Sequence, residues 1–186
     1  MYLIPLLLGF ILNCASAFTT FFSKRWGEKR GQLVSTLLRD VFGIPVWFLG
    51  FCLAMRTPSP KLLKTTLLTD SLAWSLVAAG AAVIFISLRV LGWRSAKPSV
   101  RDSLVAQGSY AHVRHPIHSG TFLEFLGLAL WYPSQAVVIA CALGTGWILL
   151  QTRLEEWDLL QRIPGYLEYM RRVPRFIPRF SKKQTR

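Results

Sequence analysis

The chain has 186 residues, 52% of them hydrophobic, with a mean hydropathy of +0.38; 22 Lys and Arg against nine Asp and Glu give a formal net charge of +13. That apolar content excludes an ordinary soluble domain. The cations fall between and after the apolar runs rather than along one polar face, so membrane topology explains them and nucleic acid is not an expected partner. The pattern is that of an all-α, polytopic integral membrane protein.

In chain order, Met1 to Phe22 is almost continuously apolar and long enough for a first span across ~30 Å of hydrocarbon. No positive residues precede it, which argues against a cleaved signal peptide. Lys24, Arg25, Lys29 and Arg30 then mark residues 23–35 as a short cytosolic loop, leaving the N-terminus outside. A second span is expected from Thr36 to Met55. Arg39 and Asp40 lie near its start, and adjacent positions on a helix point about 100° apart, so the two are not expected to pair. Residues 56–69, with Pro58, Pro60, Lys61 and Lys64, form an external loop. A third span follows from Asp70 or Ser71 to Trp93, with Asp70 as N-cap. Its centre holds Ala78, Ala79, Gly80, Ala81 and Ala82, residues small enough for close helix packing in lipid. Residues 94–114, including Lys97, Pro98, Arg101 and Asp102, form a polar loop where a soluble cofactor can meet the bilayer.

Two further apolar helices, Pro116 to Trp131 and Ser134 to about Gln151, are separated only by Tyr132-Pro133 and are expected to form an antiparallel hairpin. This makes about five transmembrane helices in two regions, 1–93 with three spans and 94–186 with the polar loop, the hairpin and the C-terminal segment. Cys14, Cys52 and Cys141 lie singly in apolar segments without metal-ligand or disulfide spacing, and no metal is expected. Gly144-Thr145-Gly146 lies mid-span without a preceding strand, which suits helix packing rather than a nucleotide fingerprint.

Chemistry concentrates at both ends of the expected hairpin. Before it stand Gly108, which permits a tight turn, Tyr110, and Arg114-His115-Pro116. Proline at a first helical position surrenders an amide with no helical partner, so a helix should open at Pro116 with His115 at the membrane boundary. After it come Arg153, Glu155 and Glu156. A short turn returns both flanks to one membrane face, bringing His115 and His118 within reach of those three residues. An arginine there can hold a carboxylate bidentately, and a glutamate can bind the ammonium or ribose hydroxyls of a cofactor. Glu124, about two turns inside its helix, is too costly to expose to lipid and should face the bundle, lining a substrate tunnel or packing as a neutral hydrogen-bonded group. The segment from Arg153 to Arg186 should be helical to about Arg172, broken at Ile163-Pro164-Gly165. It should cover the site up to Phe180 and then end in a cationic tail attracted to anionic lipid.

The ordered pattern Gly108-x-Tyr110-x-x-x-Arg114-His115-Pro116, then an apolar stretch, the Glu155-Glu156 pair, Tyr166-x-x-Tyr169 and Val173-Pro174-Arg175-x-Ile177-Pro178 resembles the isoprenylcysteine carboxyl methyltransferase family. That family belongs to a wider group of integral-membrane methyltransferases that includes phospholipid N-methyltransferases. The resemblance covers roughly the last 85 residues. It departs at His118, where the family usually has Tyr, and at Ile163-Pro164, where it has Phe-Gly. The resemblance implies an S-adenosylmethionine-dependent enzyme with a cytosolic pocket and an acceptor that is lipid-like or prenylated, held within the bilayer. It implies that Ser103, Leu104, Val105, Tyr110, Arg114, His115, Pro116, Ile117, His118, Glu155 and Glu156 contact the cofactor. Arg153 and Glu156 are the candidate catalytic residues, and Arg153 and Glu124 the candidate substrate contacts. Carboxyl O-methylation of an isoprenylcysteine-like acceptor is the leading expectation. Phospholipid amine N-methylation is the alternative, with an NADPH-dependent reductase or a non-enzymatic membrane protein behind it.

Overall fold

A computed structural model describes residues 1–92 and 99–179. Trp93, Lys97, Pro98 and the tail from Phe180, all singled out in the sequence, lie outside the described residues. The described residues form helices and no strand; a lone bridge pairs Lys61 with Ser134. Eight α-helices follow in order: α1 (Leu3–Ser16), α2 (Thr19–Trp26), α3 (Glu28–Thr36), α4 (Ile44–Arg56), α5 (Leu67–Leu91), α6 (Pro116–Trp131), α7 (Gln135–Arg162) and α8 (Tyr166–Arg172). A π-helical turn, Leu37–Gly43, joins α3 to α4 without a break, and a 3-10 turn occupies Gly108–Ala111.

Three uninterrupted helical stretches are long and apolar enough to cross a bilayer: residues 28–56, 67–91 and 135–162. The pair α1 and α2, bent by 63°, would make a fourth crossing. The expected five is therefore not reached by length and composition, because α6 has 16 residues and spans about 24 Å at ~1.5 Å per residue. Large apolar side chains such as Ile11, Phe48, Trp74, Phe85 and Leu126 are exposed on the outside of the bundle, as expected where lipid replaces water.

The boundaries shift where tertiary contacts outweigh the local pattern. The expected first span breaks at Ala17 and Phe18, because Thr20 at the start of α2 donates its backbone N–H to the Asp158 carboxylate of α7 at 2.8 Å. The expected loop 23–35 is instead helical: α2 and α3 fold against each other about Gly27, whose φ of +82° suits glycine. Thr66, not Asp70, caps α5, since Thr66 and Thr69 exchange side-chain and backbone hydrogen bonds as a capping box while Asp70 sits in the first turn. Arg39 and Asp40 do pair, at 2.7 and 3.0 Å, against expectation. They lie in the π-helical turn, whose wider circuit brings consecutive side chains closer in angle.

α6 makes its most extensive contact with α5 rather than with α7, to which Tyr132–Ser134 joins it. The α5–α6 seam is built from small residues. A Cβ placed on Gly80 would lie 2.6 Å from the Gly120 carbonyl, and one on Gly127 would lie 2.7 Å from that of Ala73. Gly144 of α7 similarly makes room for the ring of Phe125. Stacked rings fasten the other helices: Phe10 on Trp147 at 4.8 Å and Phe51 on Phe125 at 5.1 Å, each worth about 0.5–1.5 kcal/mol beyond burial.

The loop 57–66 and the turn 132–134 meet at one end of the bundle, where Leu62 donates to the Pro133 carbonyl and Gln135 to that of Pro60. α2, residues 99–115, the end of α7 and α8 gather at the other. Replacing Gly120 with Leu should force α5 and α6 apart, costing about 1–3 kcal/mol as overpacking does, and should lower the melting temperature of the detergent-solubilised protein. Gly146→Leu, where nothing lies within 4 Å of the added Cβ, should not.

Candidate functional site

At the second end of the bundle the chain reverses at Gly108, whose φ of +58° needs glycine, with Val90 of α5 packed against it. The turn places Tyr110 and then Arg114-His115 directly before α6, which begins at Pro116 as the sequence indicates. α7 supplies the opposing wall. Its residues Gln151, Glu155, Asp158 and Arg162 recur every three or four positions and so share one face.

The centre of the site is Glu156, whose residue is 3% exposed. Its carboxylate accepts from Arg114 Nε at 2.9 Å, lies 3.1 Å from His115 Nε2, and forms a close ion pair with Arg175. Arg114 also donates from Nη1 to the carbonyls of Met170 and Val173. The other nitrogen of His115, Nδ1, lies 3.6 Å from Glu155 Oε2, and Gln151 Nε2 donates to Glu155 Oε1 at 2.8 Å. Burial opposes charge on His115, but hydrogen bonds and negative charge from Glu155 and Glu156 outweigh it and hold its pKa above the ordinary imidazole value.

The C-terminal segment closes over this centre. The Pro174 carbonyl accepts from Arg114 N–H at 2.8 Å, the Arg175 carbonyl from His115 N–H at 3.0 Å, and the Phe176 carbonyl from the Ser119 hydroxyl at 2.9 Å. Tyr169 donates its hydroxyl to the Tyr110 carbonyl at 2.7 Å. Burial, followed by the negative charge of Glu155, raises the Tyr110 hydroxyl well above the usual phenol range; burial pushes that of Tyr169 up to about 12. A second network fixes the loop. Arg162 donates to Asp158 at 2.8 Å and to Asp102 at 3.2 Å, and Asp102 accepts from Ser99 N–H. Asp158 is 1% exposed.

These elements enclose a cavity of about 730 Å³. Ser103, Leu104, Val105, Tyr110, Arg114, His115, Ile117, His118 and Glu155 line it, as does Glu124 further along α6. Pro116 and Glu156 are buried beside it and do not form its surface. Arg153 stands apart. It is two positions from Glu155, about 200° around α7, so it shares the exposed face of Trp157 and Leu160 and does not line the cavity. The expectation that it meets an acceptor beside Glu155 and Glu156 is corrected by that rotation; a long cationic stem on an apolar face snorkels to the interface. Arg175, Gln151, Asp102, Asp158 and Arg162 were not assigned roles from the sequence. Their signal there was faint: Asp158 and Arg162 are an i, i+4 pair, and Arg175 lies within the Val173–Pro178 motif. Arg39, Asp40 and Trp147 also reach the cavity.

Residues 68–165 match the phospholipid methyltransferase family. The chain belongs to the phospholipid methyltransferase family. That family lies within the wider isoprenylcysteine carboxyl methyltransferase group, in agreement with the motifs. The family match begins inside α5 and ends at the α7–α8 break, so it takes in the α5–α6 seam and most of the cavity wall. Two curated proteins are similar over 81 residues. The cobalt-zinc-cadmium resistance protein CzcN of Cupriavidus metallidurans is 36% identical over 43% of this chain and 38% of its own length. The nickel-cobalt-cadmium resistance protein NccN of Alcaligenes xylosoxydans xylosoxydans is 31% identical over 42% of this chain and 37% of its own. The match thus spans well under half of either relative. No solved structure matches the chain.

Removing Glu156 would leave Arg114 and His115 buried without their counter-charge. Breaking one side of a buried ion pair costs about 3–5 kcal/mol, so Glu156→Ala should sharply lower the melting temperature while Arg153→Ala leaves it unchanged, read by thermal unfolding in detergent.

Proposed function

We propose that this member of the phospholipid methyltransferase family is an integral-membrane, S-adenosylmethionine-dependent methyltransferase acting on the amine headgroup of a lipid at the cytosolic face. The observation that carries the amine reading is the charge of the cavity wall. Each arginine lining it already has a carboxylate partner: Arg39 with Asp40, Arg114 with Glu156, and Arg162 with Asp102 and Asp158. Glu155 and Glu124 face the same space; Glu155 is met by His115, and among the described residues neither carboxylate forms an ion pair with a lysine or arginine. Such a wall attracts an ammonium and offers a carboxylate acceptor little, which favours the phospholipid reading over the isoprenylcysteine one.

The cofactor fits the cavity by size, since small-molecule sites run to about 300–1,000 Å³, and by its mixed polar and apolar lining. Bound there, S-adenosylmethionine supplies an electrophilic methyl group on a sulfonium. Residues 103–105, Tyr110 and Ile117 form walls that hold the donor in place. Glu155 orients an ammonium and accepts the proton that an amine must lose before its nitrogen can bond to the methyl carbon. Positioning contributes most to such a transfer.

Orientation follows from charge. The cavity end carries Lys24, Arg25, Lys29, Arg30, Arg101, Arg114, Arg162, Arg171, Arg172 and Arg175, against Arg56, Lys61 and Lys64 at the other end, and positive segments are retained in the cytosol. Cysteines introduced at exposed Gln107 and Lys64 should label from opposite faces, with Gln107→Cys reached from the cytosol. Labelling of both from one side would reverse or collapse this topology.

The test of function is transfer of labelled methyl groups from S-adenosylmethionine to phosphatidylethanolamine and to a farnesylcysteine analogue in proteoliposomes. Turnover of the first is expected, with Glu155→Ala reducing it by about 10²-fold or more, as for loss of a positioned proton acceptor. Arg153→Ala should leave it intact. Methylation of the farnesylcysteine analogue alone, lost in Arg153→Ala, would replace the amine reading with the carboxyl one.

A further inference from the structure

We propose that His115, His118 and Glu155 form a binding site for a single divalent transition-metal cation of the zinc class. Each offers one ligand atom, and the three atoms lie within 4.8 Å of one another on the cavity wall. Tetrahedral zinc with bonds of about 2.0 Å sets its ligands about 3.3 Å apart, so side-chain rotations of about an ångström would close the set. Two imidazoles and one carboxylate suit zinc-class ions, whereas magnesium and calcium prefer an all-oxygen shell. Three protein ligands leave a fourth position open toward the cavity.

The surroundings are built for coordination. A metal-bound imidazole usually donates its second N–H to a carboxylate, which fixes the tautomer and aims the free lone pair. His115 has that arrangement: Nε2 meets Glu156 at 3.1 Å, and Glu156 is anchored by two arginines, so Nδ1 is left facing Glu155 at 3.6 Å. Glu155 is oriented in turn by Gln151 Nε2 at 2.8 Å. His118 packs by its ring against His115 and Trp147, and among the described residues its nitrogens make no hydrogen bond. A further polar atom points to a missing partner: Gln151 is 3% exposed, lines the same cavity, and its Oε1 is buried without a hydrogen bond. The sequence expectation of no metal rested on cysteine spacing, and it could not anticipate a set whose third ligand arrives from α7.

The inference does not rest on the methyltransferase reading: a cation held by Glu155 takes the place of the ammonium and proton that the proposed function gives that carboxylate, and the readout is bound metal alone. The full chain, purified in detergent and stripped with a chelator, is titrated with Zn2+ against a chromophoric competitor. Co2+ is then added in its place and followed by visible absorption. One Zn2+ per chain is expected, with Co2+ bands of a tetrahedral site. His118→Phe and Glu155→Gln should each weaken Zn2+ binding by more than about 100-fold, beyond the 10- to 100-fold typical of losing an outer partner. Metal-free melting and elution of each variant show that it is folded, and if one fails to fold the other decides. Wild type that binds no Zn2+, or binds it no more tightly than the folded variants, overturns the proposal.

Discussion

The site depends on one buried carboxylate. Glu156 is held by guanidinium groups from two distant parts of the chain, Arg114 before α6 and Arg175 after α8, and by the imidazole of His115. Burying these charges is costly unless every one is paired, and each partner here leaves another exposed to that cost if removed. The network therefore acts as a specification as much as a source of stability. It fixes the register between the start of α6 and the end of α7, and it draws the Val173–Phe176 segment across the site. Once Glu156 is so occupied, Glu155, one residue earlier and about 100° around the helix, is left to face the cavity, met there by Gln151 and His115.

Two kinds of helix contact position this network. Between α5 and α6 the backbones approach through Gly80, Gly120 and Gly127, a mode that works in lipid because close packing substitutes for the missing hydrophobic drive. Between α1, α4 and α7 the contact is aromatic, through Phe10, Trp47 and Trp147. The cavity lies where the two meet, bounded by a glycine-lined seam on one side and by indole and polar side chains on the other. Its polar groups gather near the ends of the helices, and Glu124 reaches furthest along α6.

The sequence disclosed the class of the protein and the part of the cavity wall around Tyr110 and the start of α6 because those features are local or carried by ordered motifs. Apolar runs announced α5 and α7; Gly108, Pro116 and the Ile163-Pro164-Gly165 break each set a boundary by their own backbone preference. What the sequence obscured depends on contacts between distant residues. The bend after α1 follows from Thr20 meeting Asp158, a partner in another helix. Arg153 looked suitable by proximity to Glu155, yet helical rotation turns it outward. The partnership of Arg39 and Asp40 required a π-helical turn that residue types alone do not announce. Arg175 was visible only as part of a motif, with nothing to indicate that its target would be Glu156.

The position of Arg175 after α8 has a consequence for biogenesis. About 60 residues separate it from Arg114, which a ribosome adding about 5–20 residues per second takes some 3–12 s to make. α6 and α7 are made within that interval, and when α7 is complete Glu156 still has only one of its two guanidinium partners and the Pro174–Phe176 carbonyls are not yet there to receive Arg114, His115 and Ser119. Until Arg175 is added the charged centre lacks one of its counter-charges, and completion of the site waits on the segment that follows α8.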